Sequence, residues 1–565
     1  MKLSKFSLLL MLGLLLSIFM VACSGDKGEE TSEGTSEASN EKEKESVEAS
    51  GDVEQVFNLT ASAVIPTMDS SLATDLLAFQ ALSSTKEGLY RLGEGGEIVD
   101  GMATEHSISE DALTWTFTLR EDAVWSNGDP VTAHDFVYAW QRAVNPETGS
   151  EYGPYMMGGV LKNATAISEG KKSVDTLGVK ADGDHTLVVT LEKAIPYFES
   201  LTTFGTYYPL NEKFVKEQGD DYATSSDTLL SNGPFVLKEW KSTAESWYYE
   251  KNEDYWDAET VTLEKLTYNV VKDPQVGVDL YEKGKLDSTA LTSELVDVYG
   301  SHEDFEITLG TGVYYLKMNQ TKSEALANKN IRKAISRAFN KQALVDEILN
   351  DGSIVANGFV PKNFVTMPES GKDFREVSGD LVTFDVEAAQ EFWKKGLEEL
   401  GKDKIELEFL SSDSETSKEM GEYIAHQLEE NLKGLEIKLK QVPFEQRLAL
   451  DDSMDYQIQF SSWFPDYLDP YTFLNLFITD GGNNKMGYSN PEYDKLMEKT
   501  ANELALKPVE RYEAFLQAEK ILFEDAAIAP VYQSGSAELN SPRMKGVINN
   551  SFGALYEYKW ASVAE

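Results

Sequence analysis

Asp466 stands among rings. The stretch Phe460-Ser-Ser-Trp463-Phe464-Pro465-Asp466-Tyr467-Leu468-Asp469-Pro470 sets a carboxylate between an indole and a phenol. Together they could hold a cation, the carboxylate through a charge-assisted hydrogen bond and the ring faces through electrostatic attraction while they exclude water. The same composition also suits an ordinary loop, with the rings in the core and the aspartates capping turns. What positions the loop decides between the two. Ahead of it, Tyr456, Ile458 and Phe460 alternate with Gln457, Gln459 and Ser461, the period of a strand with one covered face, and Pro465 and Pro470 then forbid regular pairing.

The chain opens with an address. Lys2 and Lys5 precede an apolar run from Phe6 to Ala22, and Cys23, Ser24 and Gly25 follow, the order of a secretory leader. Cys23 is the only cysteine in 565 residues, so no internal disulfide can form. Its place after Ala22 resembles a bacterial lipobox, with Met20 where leucine is commonest; there the cysteine is acylated, palmitate included, and becomes the mature amino terminus. An uncleaved membrane anchor and an ordinarily cleaved signal are the other readings of the apolar run. Residues 1–22 are thus expected to be a signal peptide and 23–55 a lipidated cysteine followed by a disordered acidic tether. The Ser, Glu, Gly, Thr and Lys of that tether cannot bury enough surface to offset the entropy of folding. The implied location is the extracytoplasmic face of the cell membrane.

Beyond the tether about 510 residues remain, enough for two or three domains. The balance of 51 basic against 96 acidic side chains, net −45, excludes a nucleic-acid binder, which needs a basic footprint. Twenty-six tyrosines and nine tryptophans exceed what a core needs and suit the walls of a cleft. No His-Glu-x-x-His helix, Gly-x-Ser-x-Gly elbow or phosphate loop occurs, and the five histidines stand singly. Asp466 and Asp469 could in principle serve a cell-wall hydrolase. With 96 acids, however, chance pairs are inevitable.

Elements alternate through the body. Leu113-Thr-Trp115-Thr-Phe117-Thr-Leu119 reads as a strand, Asn127-Gly-Asp-Pro130 as a turn, and Thr132 with Asp135 as the capping box of a helix that buries Phe136, Val137 and Trp140. Val56–Ala63, 405–410 and 435–442 read as strands. Residues 73–83, 330–350 (capped by Asn330), 387–400 and 508–523 read as helices, giving a mixed α/β body.

The segments Trp115 to Arg120, Trp125 to Arg142, Ser231-Asn-Gly-Pro-Phe-Val-Leu-Lys-Glu-Trp240, Asn357-Gly-Phe-Val-Pro361, Trp463 to Pro470 and Pro530-Val-Tyr532 come in an order that spans the body. Together they resemble the bacterial extracellular solute-binding proteins that serve peptide ABC transporters. The resemblance implies an α/β fold of two lobes, type II among periplasmic binding proteins, with an extra inserted subdomain and a hinge of two crossing strands. Lobe I would comprise 56–88, 212–312 and 530–565, the inserted subdomain 89–211, and lobe II 313–529. It further implies a monomeric receptor, without enzymatic activity or cofactor, that binds oligopeptides and delivers them to permease and ATPase subunits. The ligand would lie extended as an added strand against Thr74, Asp75 and Leu76 and against Ser462, Trp463 and Phe464. Asp466 would pair with its ammonium, Tyr152 would reach it from the inserted subdomain, and Trp463 would wall a side-chain pocket.

Departures from the family pattern matter too. Phe460 stands where relatives place a base for the ligand carboxylate, Ser417 where they offer histidine, and a family cysteine pair is absent. Losing those groups implies that the carboxyl end of the ligand is not gripped at all, and so longer or more hydrophobic peptides, signalling peptides among them. The readings weighed against nutrient uptake are a pheromone receptor of the same fold and, from other classes, an extracytoplasmic chaperone or adhesin and the hydrolase.

Overall fold

Phe57, Leu59 and Ala61 point into the core while their neighbours stay partly exposed, the two-residue period of a strand with one covered face. This strand, Val56–Ala61, pairs in parallel with Lys265–Val270, far along the chain. Ser246–Lys251 and Phe235–Lys238 complete an antiparallel extension of the sheet. The computed structural model describes residues 53–564; the leader, Cys23 and the tether up to residue 52 lie outside the described residues. Among the described residues no helix is long and apolar enough to cross a membrane.

Between the first strand and its partner the chain builds a separate antiparallel sheet, ordered Ala103–Ile108, Thr114–Leu119, Thr186–Thr190, Val179–Ala181. Trp115, Phe117 and Leu119 are buried as their alternation predicts. The helix Ala133–Val144 begins at the capping box, where the Thr132 N–H donates to Asp135 Oδ2 at 2.8 Å. Its Trp140 Nε1 donates to the Tyr207 carbonyl at 2.9 Å, tying the helix to the start of the returning chain.

The third sheet is mixed. Ile405–Ser412 and Leu435–Val442 run parallel, joined by the helix Glu415–Asn431, and Ile458–Trp463 lies on the other side of Ile405–Ser412. Two long strands, Phe305–Met318 and Ile528–Asn540, run antiparallel along each other. At one end Ser288–Leu291 flanks them, and at the other Ile458–Trp463 does. Their register breaks between Leu309 and Val313. Two strands that cross from one set of neighbours to another, with irregular pairing at the crossing, form a hinge that few residues need to absorb.

Three expectations are corrected. The segment 330–350 is two helical pieces, Lys329–Ile335 and Lys341–Leu349, because Asn340 turns its side chain onto the Ala343 N–H at 3.2 Å and caps a new start. The first piece is capped by Asn328, which accepts from the N–H groups of Asn330 and Ile331, and not by Asn330. The strand Ile458–Trp463 is covered on both faces at its start. Gln459 is fully buried and donates to Asp451 at 2.9 Å, a polar side chain inside the sheet with a partner waiting.

Candidate ligand-binding site

The strand Ile458–Trp463 is where two neighbours part. On one edge it pairs with the long strand over its whole length, from Ile458 against Met318 to Trp463 against Val313. On the other, Ile405–Ser412 pairs only with Ile458 and Gln459. From Phe460 to Trp463 that edge has no strand beside it, so its outward N–H and C=O groups are free for an added strand. Across the cavity, Thr74 neither gives nor receives a hydrogen bond among the described residues, and Asp75 is extended. Leu76, expected as a strand-like contact, is instead the first residue of the helix Leu76–Thr85. The helix starts there because Asp75 accepts from the Ala78 N–H at 3.0 Å and caps it.

A cavity of about 260 Å³ is lined by all the residues predicted to touch the ligand: Thr74, Asp75, Leu76, Tyr152, Ser462, Trp463, Phe464 and Asp466. Asp466 is 5% exposed. The Tyr155 hydroxyl donates to its Oδ2 at 3.1 Å, and its own N–H donates to Thr472 Oγ1 at 3.2 Å. Burial pushes its carboxyl up to about 8, against the hydrogen bond from Tyr155 that favours the charged form. Among the described residues no cation pairs with it.

Asp469, three residues on, contrasts with it. Arg511 Nη1 and Nη2 grip its two oxygens at 2.5 and 2.9 Å, both side chains buried, so this carboxylate has a structural partner and is not available to act as an acid or base beside Asp466.

Rings enclose the Asp466 corner. Trp463 meets Tyr155 edge to face at 5.9 Å and lies nearly parallel to Tyr152 at 6.5 Å. Tyr152 is 5% exposed, packed on Phe79 at 4.9 Å and Phe204 at 5.8 Å, and begins the helix Tyr152–Met157. Tyr467, expected beside the cation, turns away from the cavity and stacks on Tyr197 at 4.8 Å. The residue that sequence reading missed is Tyr155. It sits one helical turn from Tyr152, a spacing that puts both phenols on one face. Gly153 and Pro154 between them disguise that turn of helix as a loop.

A second cavity, of about 360 Å³, continues from the first and shares Ser461, Ser462, Tyr314, Phe444 and Arg447 with it. Phe460 and Ser417 line it, together with Tyr532, whose ring stacks on Tyr314 at 4.5 Å. The two adjoining cavities thus combine a carboxylate corner in the first with an aromatic wall in the second.

Comparison with known proteins gives the chain a family. The model of the bacterial extracellular solute-binding proteins, family 5 middle, matches residues 97–485. A dipeptide-binding protein from Lactococcus lactis subsp. cremoris is 34% identical over 513 residues, covering 88% of this chain and 92% of its own. Among solved structures, Listeria monocytogenes OppA bound to peptide superposes with a TM-score of 0.87 at 44% identity, over 91% of this chain and 99% of that one. The pheromone receptor PrgZ does so with 0.86 at 36%, over 91% and 100%. The fold is the two-lobed α/β architecture of these proteins, and the chain belongs to family 5 of the bacterial extracellular solute-binding proteins.

Proposed function

We propose that the protein is an extracytoplasmic receptor that encloses extended oligopeptides and delivers them to an ABC permease. One observation carries the reading: a buried carboxylate without a cation, Asp466, stands at the end of an unpaired strand edge, Phe460 to Trp463. A peptide supplies what both lack, an ammonium for the first and main-chain donors and acceptors for the second. The adjoining cavities leave room for side chains of varied shape with bridging water. Trp463, Tyr152 and Tyr155 wall the ammonium corner, and Thr74, Asp75 and Leu76 face the ligand from the other side. Calorimetry with a free-amino peptide and its N-acetyl form tests this: acetylation is expected to weaken binding at least tenfold, in the range of a lost charged hydrogen bond. A chaperone or adhesin would hold both forms equally, and that result would refute the receptor. The likeness to PrgZ supports a second reading, capture of a signalling peptide in the same cleft.

The same reading groups 56–88, 212–312 and 530–565 as lobe I, 89–211 as an inserted subdomain and 313–529 as lobe II; one sheet lies within the first group, another within 89–211, and the mixed sheet runs from lobe I into lobe II through the two long strands. It makes the protein a monomer held at the membrane through acylated Cys23. Labelled palmitate is expected to be incorporated by the parent and not by Cys23→Ser; equal labelling of the two, or none of the parent, would overturn the lipid anchor.

A further inference from the structure

Four basic side chains line the two cavities, and three already have carboxylates. Lys317 donates to Asp451 at 2.6 Å, Lys485 to Glu151 and, at 2.6 Å, to Asp452, and Lys272 to Asp413 at 2.9 Å. Arg447 is the exception. It lines both cavities and so stands at their junction, and among the described residues its guanidinium has neither an ion-pair partner nor a hydrogen-bond acceptor. Its guanidinium carbon lies 5.1 Å from the Phe444 ring centre. The acids whose charge reaches it, Asp451 and Asp75, are engaged elsewhere: Asp451 accepts from Lys317 and Gln459, and Asp75 caps its helix. A guanidinium carries five donors in a planar fork that fits a carboxylate. Half-buried and unpartnered on a cleft wall where the other cations are paired, it marks a position for an anion.

We propose that Arg447 receives a carboxylate of the bound peptide at the junction of the two cavities. The inference rests on the peptide-receptor reading and adds what Phe460 and Ser417 do not supply. With the ammonium fixed at Asp466, Arg447 acts as a second mark along the cleft. The carboxylate is the free terminus of a short peptide, or an Asp or Glu side chain of a longer one whose chain runs on past Phe460.

Arg447 belongs to the helix Phe444–Asp452, none of whose residues is buried, so Arg447→Gln leaves the core untouched. The test is calorimetry of parent, Arg447→Gln and Arg447→Lys against alanine peptides of increasing length, each as free acid and as amide, and against a longer amide with one glutamate moved along it. In the parent, one length or one glutamate position is expected to bind about tenfold to a hundredfold tighter than its uncharged counterpart. Arg447→Gln is expected to erase that preference and Arg447→Lys to keep part of it. A length-specific effect of amidation identifies the terminus, and a position-specific effect of glutamate identifies the side chain. If amidation and glutamate placement change nothing at any length, or if Arg447→Gln keeps the parent's preference, the inference fails while the requirement for a free amine stands. If no peptide binds the parent at all, the receptor reading fails and this inference with it.

Discussion

Asp466→Asn is expected to weaken binding of a free-amino peptide by about a hundredfold or more. Removing one partner of an enclosed ion pair leaves the other buried and uncompensated, at roughly 3 to 5 kcal/mol. Asparagine keeps the shape and can still accept from the Tyr155 hydroxyl, so the loss reports the charge. The fold does not suffer by it. With the rings closed around it, burial holds the Asp466 carboxyl at about 8, whereas the unfolded chain titrates near 4. The native state therefore binds the extra proton between those values, and stability falls as pH rises through that window. The asparagine variant lacks that slope. It is expected to match the parent in thermal unfolding near pH 4 and to exceed it at pH 8, by up to a few kcal/mol. Equal peptide affinity in parent and variant would remove the ammonium site from the mechanism.

How far this site could be read from the sequence follows from how local each feature is. The loop from Trp463 to Asp466 was legible because a strand period stops at Pro465 and a carboxylate stands among rings, all within a dozen residues. The capped helix at Thr132 was legible for the same reason. The open edge at Phe460 to Trp463 was not. It exists because Ile405–Ser412 departs after Leu410, an event of long-range pairing that leaves no local mark. Tyr155 was hidden by the glycine and proline that precede it, and its partnership with Asp466 joins residues 311 apart in the chain. Arg447 reads as one more cation on a polar helix; only the structure shows that its neighbours are already paired. The parallel pairing of Val56–Ala61 with Lys265–Val270 likewise left no local mark; the family resemblance went only as far as grouping 56–88 with 212–312.

The proton carries the second large effect. Free Asp466, held at about 8 by burial, is mostly protonated at pH 6, and so is a peptide amine, whose ordinary value is about 7.7 to 8.0. The complex keeps one titratable proton of those two, as an ammonium against a carboxylate. Binding below pH 8 must therefore release one proton, and affinity rises with pH, by roughly tenfold per unit and so about a hundredfold between pH 5 and pH 7. Above pH 8 the free amine loses its proton, binding takes one up, and affinity falls again. The maximum lies near pH 8, where the two free groups are jointly in the state the complex needs. Calorimetry at pH 6 in buffers of different ionisation heat should read close to one proton released per peptide, and in Asp466→Asn close to none. Parent protein that binds with no proton exchange at pH 6 would mean that Asp466 is already ionised before the ligand arrives. Its corner would then be wet in solution, and the burial that gives the ammonium site its strength would be absent.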